Sequence, residues 1–298
     1  LVAVIGGTEP RMAIDLLHPF LVGMWSRRKE EALRLKAVAE AEVPDEADRN
    51  LAWHMRSKPV QPMSEFLDDR NQWGSIPELA AASPSHFLAT LWPWYLSAFR
   101  DMVAVSERDE PLFGYALPYS ADFRFEGEDR NKLHPSSMLE AVVVAAEGLA
   151  DVAPLELLQW AREQAHVELA PVQRLIAHAL AHNPSQTATE ALDFLLEDER
   201  RYFLGGISNS SSTTLALIAA CAPHWAPDEV AKFTTKVKTY TAVRPADRSA
   251  PTDVRAWSSI ARRIRVNLIR ALPTATRSPD IQREIEEGNR ALPHRTSG

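Results

Sequence analysis

The sequence predicts an all-α protein, and three features of composition and punctuation support that fold class. Only 11 of the 298 residues are Gly, about half of average usage, which disfavours sheets joined by many tight turns. The chain holds 21 Pro, and many of them stand with a capping side chain just before a segment of helical periodicity, as they do at helix starts. No alternating strand pattern follows the first few residues.

The Pro and capping residues place the helix starts in order along the chain. These starts stand at 8–10, 83–85, 153–154, 170–171, 183–185, 226–228, 251–253 and 278–280. Together with the apolar spacing they predict helices at 9–24, 26–42, 45–57, 84–105, 136–151, 154–167, 171–182, 185–203, 212–222, 227–240, 252–272 and 279–290. The 45% of hydrophobic residues suffice for a buried core, and they exclude wholesale disorder and a collagen-like repeat.

A Leu-Ile pair recurs late in three of the predicted helices. The pairs are Leu175-Ile176, Leu217-Ile218 and Leu268-Ile269, spaced 42 and 51 residues apart. Each precedes a helix that begins at Pro. The first spacing lies in the roughly 40 to 47 residue range of HEAT-like helical pairs, and the polar stretch 241–251 supplies the insertion that the second spacing needs. We expect an irregular α-solenoid of stacked helical pairs, HEAT- or TPR-like, with an unrepeated helical bundle as the alternative.

Two helical parts are predicted, an N-terminal part at 1–107 and a C-terminal helical-repeat part at 136–298. An aromatic and charged loop at 108–135 connects them. One continuous domain is the alternative to this division.

The connecting loop holds the first candidate contacts with a partner. Its aromatic residues include Phe113, Tyr115 and Tyr119, and a charged run follows them. A long loop inside a compact domain is often functional, so these three residues are candidate partner-binding residues. The alternative is an insertion that packs its aromatic rings on neighbouring helices.

Charge and cysteine content limit the partners and the compartment. The 33 Lys and Arg against 40 Asp and Glu give a net charge of −7, so no global positive field gathers nucleic acid or anionic lipid. The lone Cys221 has apolar neighbours, which predicts a buried structural thiol and fits a reducing, cytoplasmic compartment. The most apolar stretch, 87–99, contains Pro93 and is shorter than a membrane span of about 20 residues. We expect no membrane span, and the start at Leu1 rather than Met suggests a fragment or a processed product.

The motifs of common catalytic, cofactor and metal sites are incomplete or missing. The start at 2–8 resembles the opening of a dinucleotide-binding unit, but the third glycine, the next strand and the acidic residue do not follow. The sequence has no P-loop and no serine-hydrolase elbow. His178 and His182 share a helix face but lack the glutamate of H-E-x-x-H. We predict no catalytic residue, no cofactor and no metal ligand, with a helical enzyme whose site forms only in three dimensions as an alternative.

The predicted helix 252–272 combines an apolar stripe with a basic arc. The stripe holds Trp257, Ile260, Ile264, Leu268 and Ala271. The opposite arc holds Arg255, Arg262, Arg263, Arg265 and Arg270. Exposed arginines can bind an acidic protein or the phosphates of nucleic acid, so Arg262, Arg263 and Arg265 are candidate partner-binding residues. The alternative is a solvated face that forms ion pairs with Asp280, Glu284 and other acids of the next helix.

Aromatic residues cluster within the predicted helix 84–105. They are Phe87, Trp92, Trp94, Tyr95 and Phe99. Trp, Tyr and Arg dominate binding hot spots, but we expect these rings to pack in the core. Pro93 removes a backbone donor in mid-helix, so we expect a kink or a split that turns its two Trp neighbours in different directions.

Three stretches in the last third to half of the chain together form a pattern of helix ends and helix starts. They are Arg201 to Gly206, LALIAACAPHWAPDEVAKF (Leu215 to Phe233) and NLIRALPTATRSPDIQREIEE (Asn267 to Glu287). A helix of small residues ends at Pro223, a new helix starts at Pro227, and a Leu-Pro then Ser-Pro helix pair follows. This pattern resembles the helical region of large bacterial STAND-type NTPases of the antiviral class. The resemblance implies an ATPase core outside this chain, which would itself be a helical sensor or scaffold segment.

We therefore expect this chain to work by binding another protein, with a protein of foreign, phage origin as the partner that the resemblance implies. Nucleic acid is the weaker alternative because the chain is acidic.

Overall fold

A computed structural model describes residues 7–41, 60–68, 75–106, 115, 138–205, 211–241 and 251–291. Within these ranges the chain is helical and forms no β-strand, so the predicted all-α class is confirmed. The α-helices are α1 (Pro10–Ala41), α2 (Gln61–Asp68), α3 (Ile76–Ala82), α4 (Pro84–Ser106), α5 (Met138–Val152), α6 (Pro154–Gln164), α7 (Ala170–His182), α8 (Pro184–Glu197), α9 (Ser212–Cys221), α10 (Pro227–Lys238), α11 (Pro251–Ala271) and α12 (Pro279–Ala291). Short 3₁₀ turns lie at Glu199–Phe203, Ala222–His224 and Thr274–Thr276.

The first helices differ from the prediction. The expected helices 9–24 and 26–42 form the single helix α1, because buried residues such as Leu17, Leu21 and Trp25 continue at helical spacing across the expected break. The short helices α2 and α3 were not predicted, and the expected helix 45–57 lies outside the described residues.

The chain forms two compact units. The first comprises residues 1–157 and 167–175, and the second comprises residues 158–166 and 176–298. In the first unit α1 packs against α2 and α4, and α5 packs against α3 and α4. The predicted N-terminal part and the beginning of the predicted C-terminal part therefore both contribute to the first unit.

The aromatic cluster of α4 lies in the core of the first unit, as expected. Trp94 packs with its ring centroid 6.0 Å from that of Trp25 and 6.4 Å from that of Phe66. Helix α4 continues through Pro93 without splitting, and both Trp92 and Trp94 are buried. Pro93 itself is exposed, so the backbone carbonyl that loses its helical donor lies near solvent.

Polar side chains fix α4 to its neighbours in the first unit. Asp101 accepts hydrogen bonds from Trp25 Nε1 at 2.9 Å and from Lys29 Nζ at 2.6 Å on α1. The hydroxyl of Tyr95 donates to the backbone carbonyl of Met138 at the start of α5, at 2.5 Å. The bonds of Trp25 and Tyr95 satisfy polar groups that packing has removed from water, which helps to specify the position of α4.

In the second unit α8 packs against α9 and α10, while α11 packs against α9, α10 and α12. Cys221 is fully buried, which confirms the burial that its apolar neighbours predicted. Trp225 Nε1 donates to the carbonyl of Ala188 at 2.9 Å, and Thr187 Oγ1 donates to the carbonyl of Leu180 at 2.5 Å. The unit is thus held by apolar packing and by buried side-chain to backbone hydrogen bonds.

Candidate functional site

The second unit contains a groove whose lining residues are all described. It lies between α6, the end of α7 and α8, and has a volume of about 450 Å³. That volume falls within the range of about 300 to 1,000 Å³ that is typical of binding pockets. We call it the acidic groove, after the carboxylates described next.

Helix α8 supplies the carboxylates of the acidic groove. Glu190, Asp193 and Glu197 follow one another at spacings of three and four residues, so they form one stripe along the helix. About two α-helical turns separate the first from the last. The rim of the groove therefore carries three acidic groups from a single rigid element.

Apolar side chains from three helices form the rest of the groove lining. They are Ala161 of α6, Ala165 just beyond its end, Leu180 of α7, and Phe194 and Leu196 of α8. The two alanines have small side chains, which leave space unfilled in the concavity. The groove offers apolar contact next to charged groups, as ligand sites usually do.

Arg162 of α6 bonds to the acidic rim from the opposite side. Its Nε donates to both carboxylate oxygens of Glu190, at 3.0 and 2.9 Å, and its Nη2 donates to Oε2. The Arg162 side chain is 64% exposed, whereas that of Glu190 is 16% exposed. The hydrogen bond to Glu190, the charge of Glu190 and the charge of Asp193 raise the pKa of Arg162. The electrostatic influence of Arg162 therefore extends to both carboxylates.

A second arginine, Arg201, supports the groove from within. It lies in the 3₁₀ turn Glu199–Phe203, and its side chain is 3% exposed. Its guanidinium donates to the backbone carbonyls of Phe194 and Ala165, both at 2.7 Å, and to Glu197 at 2.7 Å. It also stacks 4.1 Å from the centroid of the Phe194 ring. These bonds join the ends of α6 and α8 and fix the walls of the acidic groove.

The predicted arginine contacts lie elsewhere in the second unit, on α11. Arg262 and Arg263 are exposed and make no hydrogen bond or ion pair within the described part of the chain. Arg265 is half-buried and donates from Nη1 to the carbonyl of Lys238 at 3.1 Å.

Under the alternative of an ion-paired face, the acids of α12 would neutralise these arginines, but two of these acids bond elsewhere. Asp280 pairs with Arg283 of its own helix, and Glu284 pairs with Lys238 of α10 at 2.9 Å. Within the described ranges, neither acid therefore pairs with the Arg262 or Arg263 guanidinium.

Of the three candidate contact residues in the connecting loop, Tyr115 lies within the described residues. Tyr115 is 5% exposed, which is the position expected if the loop packs its aromatic rings on neighbouring helices. Phe113 and Tyr119 lie outside the described residues. The acidic groove and the α11 arginines are therefore the two candidate sites that the geometry supports.

The acidic groove was not predicted from the sequence. The carboxylate stripe of α8 is visible as the pattern E-x-x-D-x-x-x-E at 190–197, but such a pattern is equally typical of a solvated helix face. The apolar lining comes from α6 and α7, and no local pattern predicts that these helices meet α8 around a concavity.

Among the described residues, no three His, Cys, Asp or Glu side chains converge to hold a metal ion. None of the described helices is both long enough and apolar enough to cross a membrane.

Comparisons with family models, with curated proteins and with solved structures found no match to this chain. The resemblance to STAND-type NTPases stays a prediction.

Proposed function

We propose that this chain binds another protein through the acidic groove and acts as a sensor or scaffold module. The observation that carries the proposal is the groove itself, which joins an apolar lining to a charged rim on three helices held together by Arg201. Protein-binding surfaces combine these features, with an apolar centre and a polar rim. A sensor or scaffold role is also what the resemblance to the helical region of STAND-type NTPases implies.

The proposal includes an irregular solenoid of helical pairs, α7 with α8, α9 with α10, and α11 with α12. The recurring Leu-Ile pairs support it, because all six of their side chains are fully buried. The second helix of each pair begins at a Pro, at 184, 227 and 279. Equivalent core positions and equivalent helix starts are what a stacked repeat requires.

A groove-filling variant tests the proposed function. Ala165→Trp places an indole in the acidic groove, whereas Ala231→Trp places the same side chain on the exposed surface of α10. The test is capture of partners from nuclease-treated lysate, read by mass spectrometry. We expect the native chain and Ala231→Trp to retain one partner that Ala165→Trp loses. A partner that all three proteins retain equally would contradict the proposal.

A second candidate function is nucleic-acid binding through α11. The observation that favours it is that Arg262 and Arg263 are exposed and have no partner within the described ranges. Unpaired guanidiniums on one helix can bind successive phosphates.

Salt dependence distinguishes this second candidate from protein binding. Affinity for a labelled DNA duplex, measured by fluorescence anisotropy, should fall steeply with salt and should be lost in an Arg262→Glu, Arg263→Glu double variant. Arg283→Glu is a matched control, because Arg283 is also exposed and pairs with Asp280. No measurable affinity of the native chain would exclude this candidate.

A further inference from the structure

We propose that the acidic groove binds a basic peptide segment, in which an Arg or Lys lies next to an apolar side chain and displaces Arg162 from Glu190. The inference rests on the proposed function and adds the chemical class of the partner. In the unbound chain, Arg162 occupies the position beside Glu190 that the partner's basic side chain takes in the complex.

The charged residues of the groove favour a positively charged ligand. Three carboxylates lie along its α8 side, and Arg162 is the basic side chain that lines it. Arg201 is committed to the carbonyls of Phe194 and Ala165 and to Glu197 beneath the surface. An acidic peptide or a phosphate would meet net negative charge here, whereas a basic side chain meets its complement. The whole chain carries −7, which favours approach of a basic partner.

Arg162 and Glu190 differ in exposure, and this difference makes the exchange reasonable. Arg162 is 64% exposed, so its guanidinium can leave the pair and be hydrated with little movement. Glu190 is 16% exposed, so its carboxylate needs another cation once Arg162 leaves. A partner guanidinium can reproduce the paired hydrogen bonds that Arg162 makes.

The apolar lining accounts for the second part of the ligand. Ala161, Ala165 and Leu196 line the same groove as Glu190 and Asp193. The room beside the two alanines suits a branched or aromatic side chain next to the partner's basic residue. Burial of that side chain adds affinity that an exchange of one ion pair for another does not supply.

The experiment is a selection of a phage-displayed library of random short peptides on the full chain. The enriched peptides are then labelled with fluorescein and titrated by anisotropy. We expect enrichment of Arg or Lys beside Leu, Ile or Phe. We also expect Glu190→Gln to weaken binding about tenfold or more, and Arg162→Ala to strengthen it severalfold because the internal competitor is gone.

The opposite effects of these two variants separate recognition from structure. If the pair merely stabilises the fold, Arg162→Ala and Glu190→Gln weaken binding alike, and that result would overturn the inference. Arg283→Ala removes an exposed, ion-paired arginine outside the groove and should leave affinity unchanged. Circular dichroism of each variant verifies that it is folded.

The selection also separates this inference from the proposed function. If the enriched peptides contain no Arg or Lys and Ala165→Trp abolishes their binding, the inference of a basic ligand is overturned. The proposal of a protein-binding groove then stands. An enriched pool that binds Ala165→Trp as well as the native chain would overturn both.

Discussion

Gly288 lies buried where α12 packs against α11. A Cβ atom added there would overlap the Cγ2 methyl of Val266, which is itself buried. We expect Gly288→Ala to lower the free energy of unfolding by about 1 to 2 kcal/mol, because the overpacking cost exceeds the gain in helix propensity. Urea unfolding followed by circular dichroism measures it.

Gly23 provides the matched control. It lies within α1, and an added Cβ meets nothing within 4 Å. Gly23→Ala should therefore raise the free energy of unfolding by roughly 0.5 to 1 kcal/mol. Equal effects of the two substitutions would contradict the close approach of α11 and α12.

Because the Cys221 thiol is buried, we expect the free energy of unfolding to depend on pH. Burial raises its pKa to about 12, although a hydrogen bond with Thr187 acts in the opposite direction. An unfolded Cys titrates near 8.5, so above that pH the unfolded chain releases a proton that the folded chain retains. Stability contributed by the neutral thiol is complete below about pH 8.5 and falls by about 1.4 kcal/mol per pH unit above it.

Urea unfolding at about pH 8 and about pH 10 tests this dependence. The native chain should lose about 2 kcal/mol more between these pH values than Cys221→Ala does, because the variant has no thiol to titrate. A parallel loss in both proteins would show that Cys221 does not cause it. Since Cys221 is the sole cysteine, a thiol reagent should react with the protein only after unfolding.

At the scale of elements, Arg201 joins α6, α8 and the 3₁₀ turn that follows α8. Arg201→Ala removes the hydrogen bonds that the buried guanidinium donates to the carbonyls of Ala165 and Phe194, so we expect a loss of roughly 2 to 4 kcal/mol in the free energy of unfolding. Chemical denaturation measures this loss. The control Arg283→Ala removes an exposed charge paired at i, i+3 and should change stability by less than about 0.5 kcal/mol.

Most helix starts could be predicted because their cause is local. Pro154, Pro184, Pro227 and Pro279 each occupy the first position of a helix, where the missing N–H costs nothing. Glu229 adds an accepted hydrogen bond from the Ala226 N–H at the start of α10.

Helices α2 and α3 were missed although Pro62 and Pro77 stand in their first turns. Each spans at most eight residues, which is too short to establish a helical period. Their burial is tertiary, since Met63, Phe66 and Leu79 pack within the first unit.

At the scale of the molecule, the two candidate sites differ in how far sequence could predict them. The arginines of α11 belong to one helix, so their common face follows from spacing alone, and Arg262 and Arg263 are indeed exposed. The acidic groove needs α6, α7 and α8 together, and Ala161 and Ala165 are part of its lining. An alanine side chain is a single methyl group, so nothing in a single sequence indicates that these two alanines line a groove.

Site-specific photocrosslinking tests the central claim, that the acidic groove binds a protein, most directly. A benzophenone amino acid replaces Leu196 in the groove or Ala231 on the exposed face of α10. The account predicts that the probe at 196 crosslinks one protein, that the probe at 231 does not, and that Ala165→Trp abolishes the crosslink. Crosslinks to the same protein from both positions, or from neither, would contradict it.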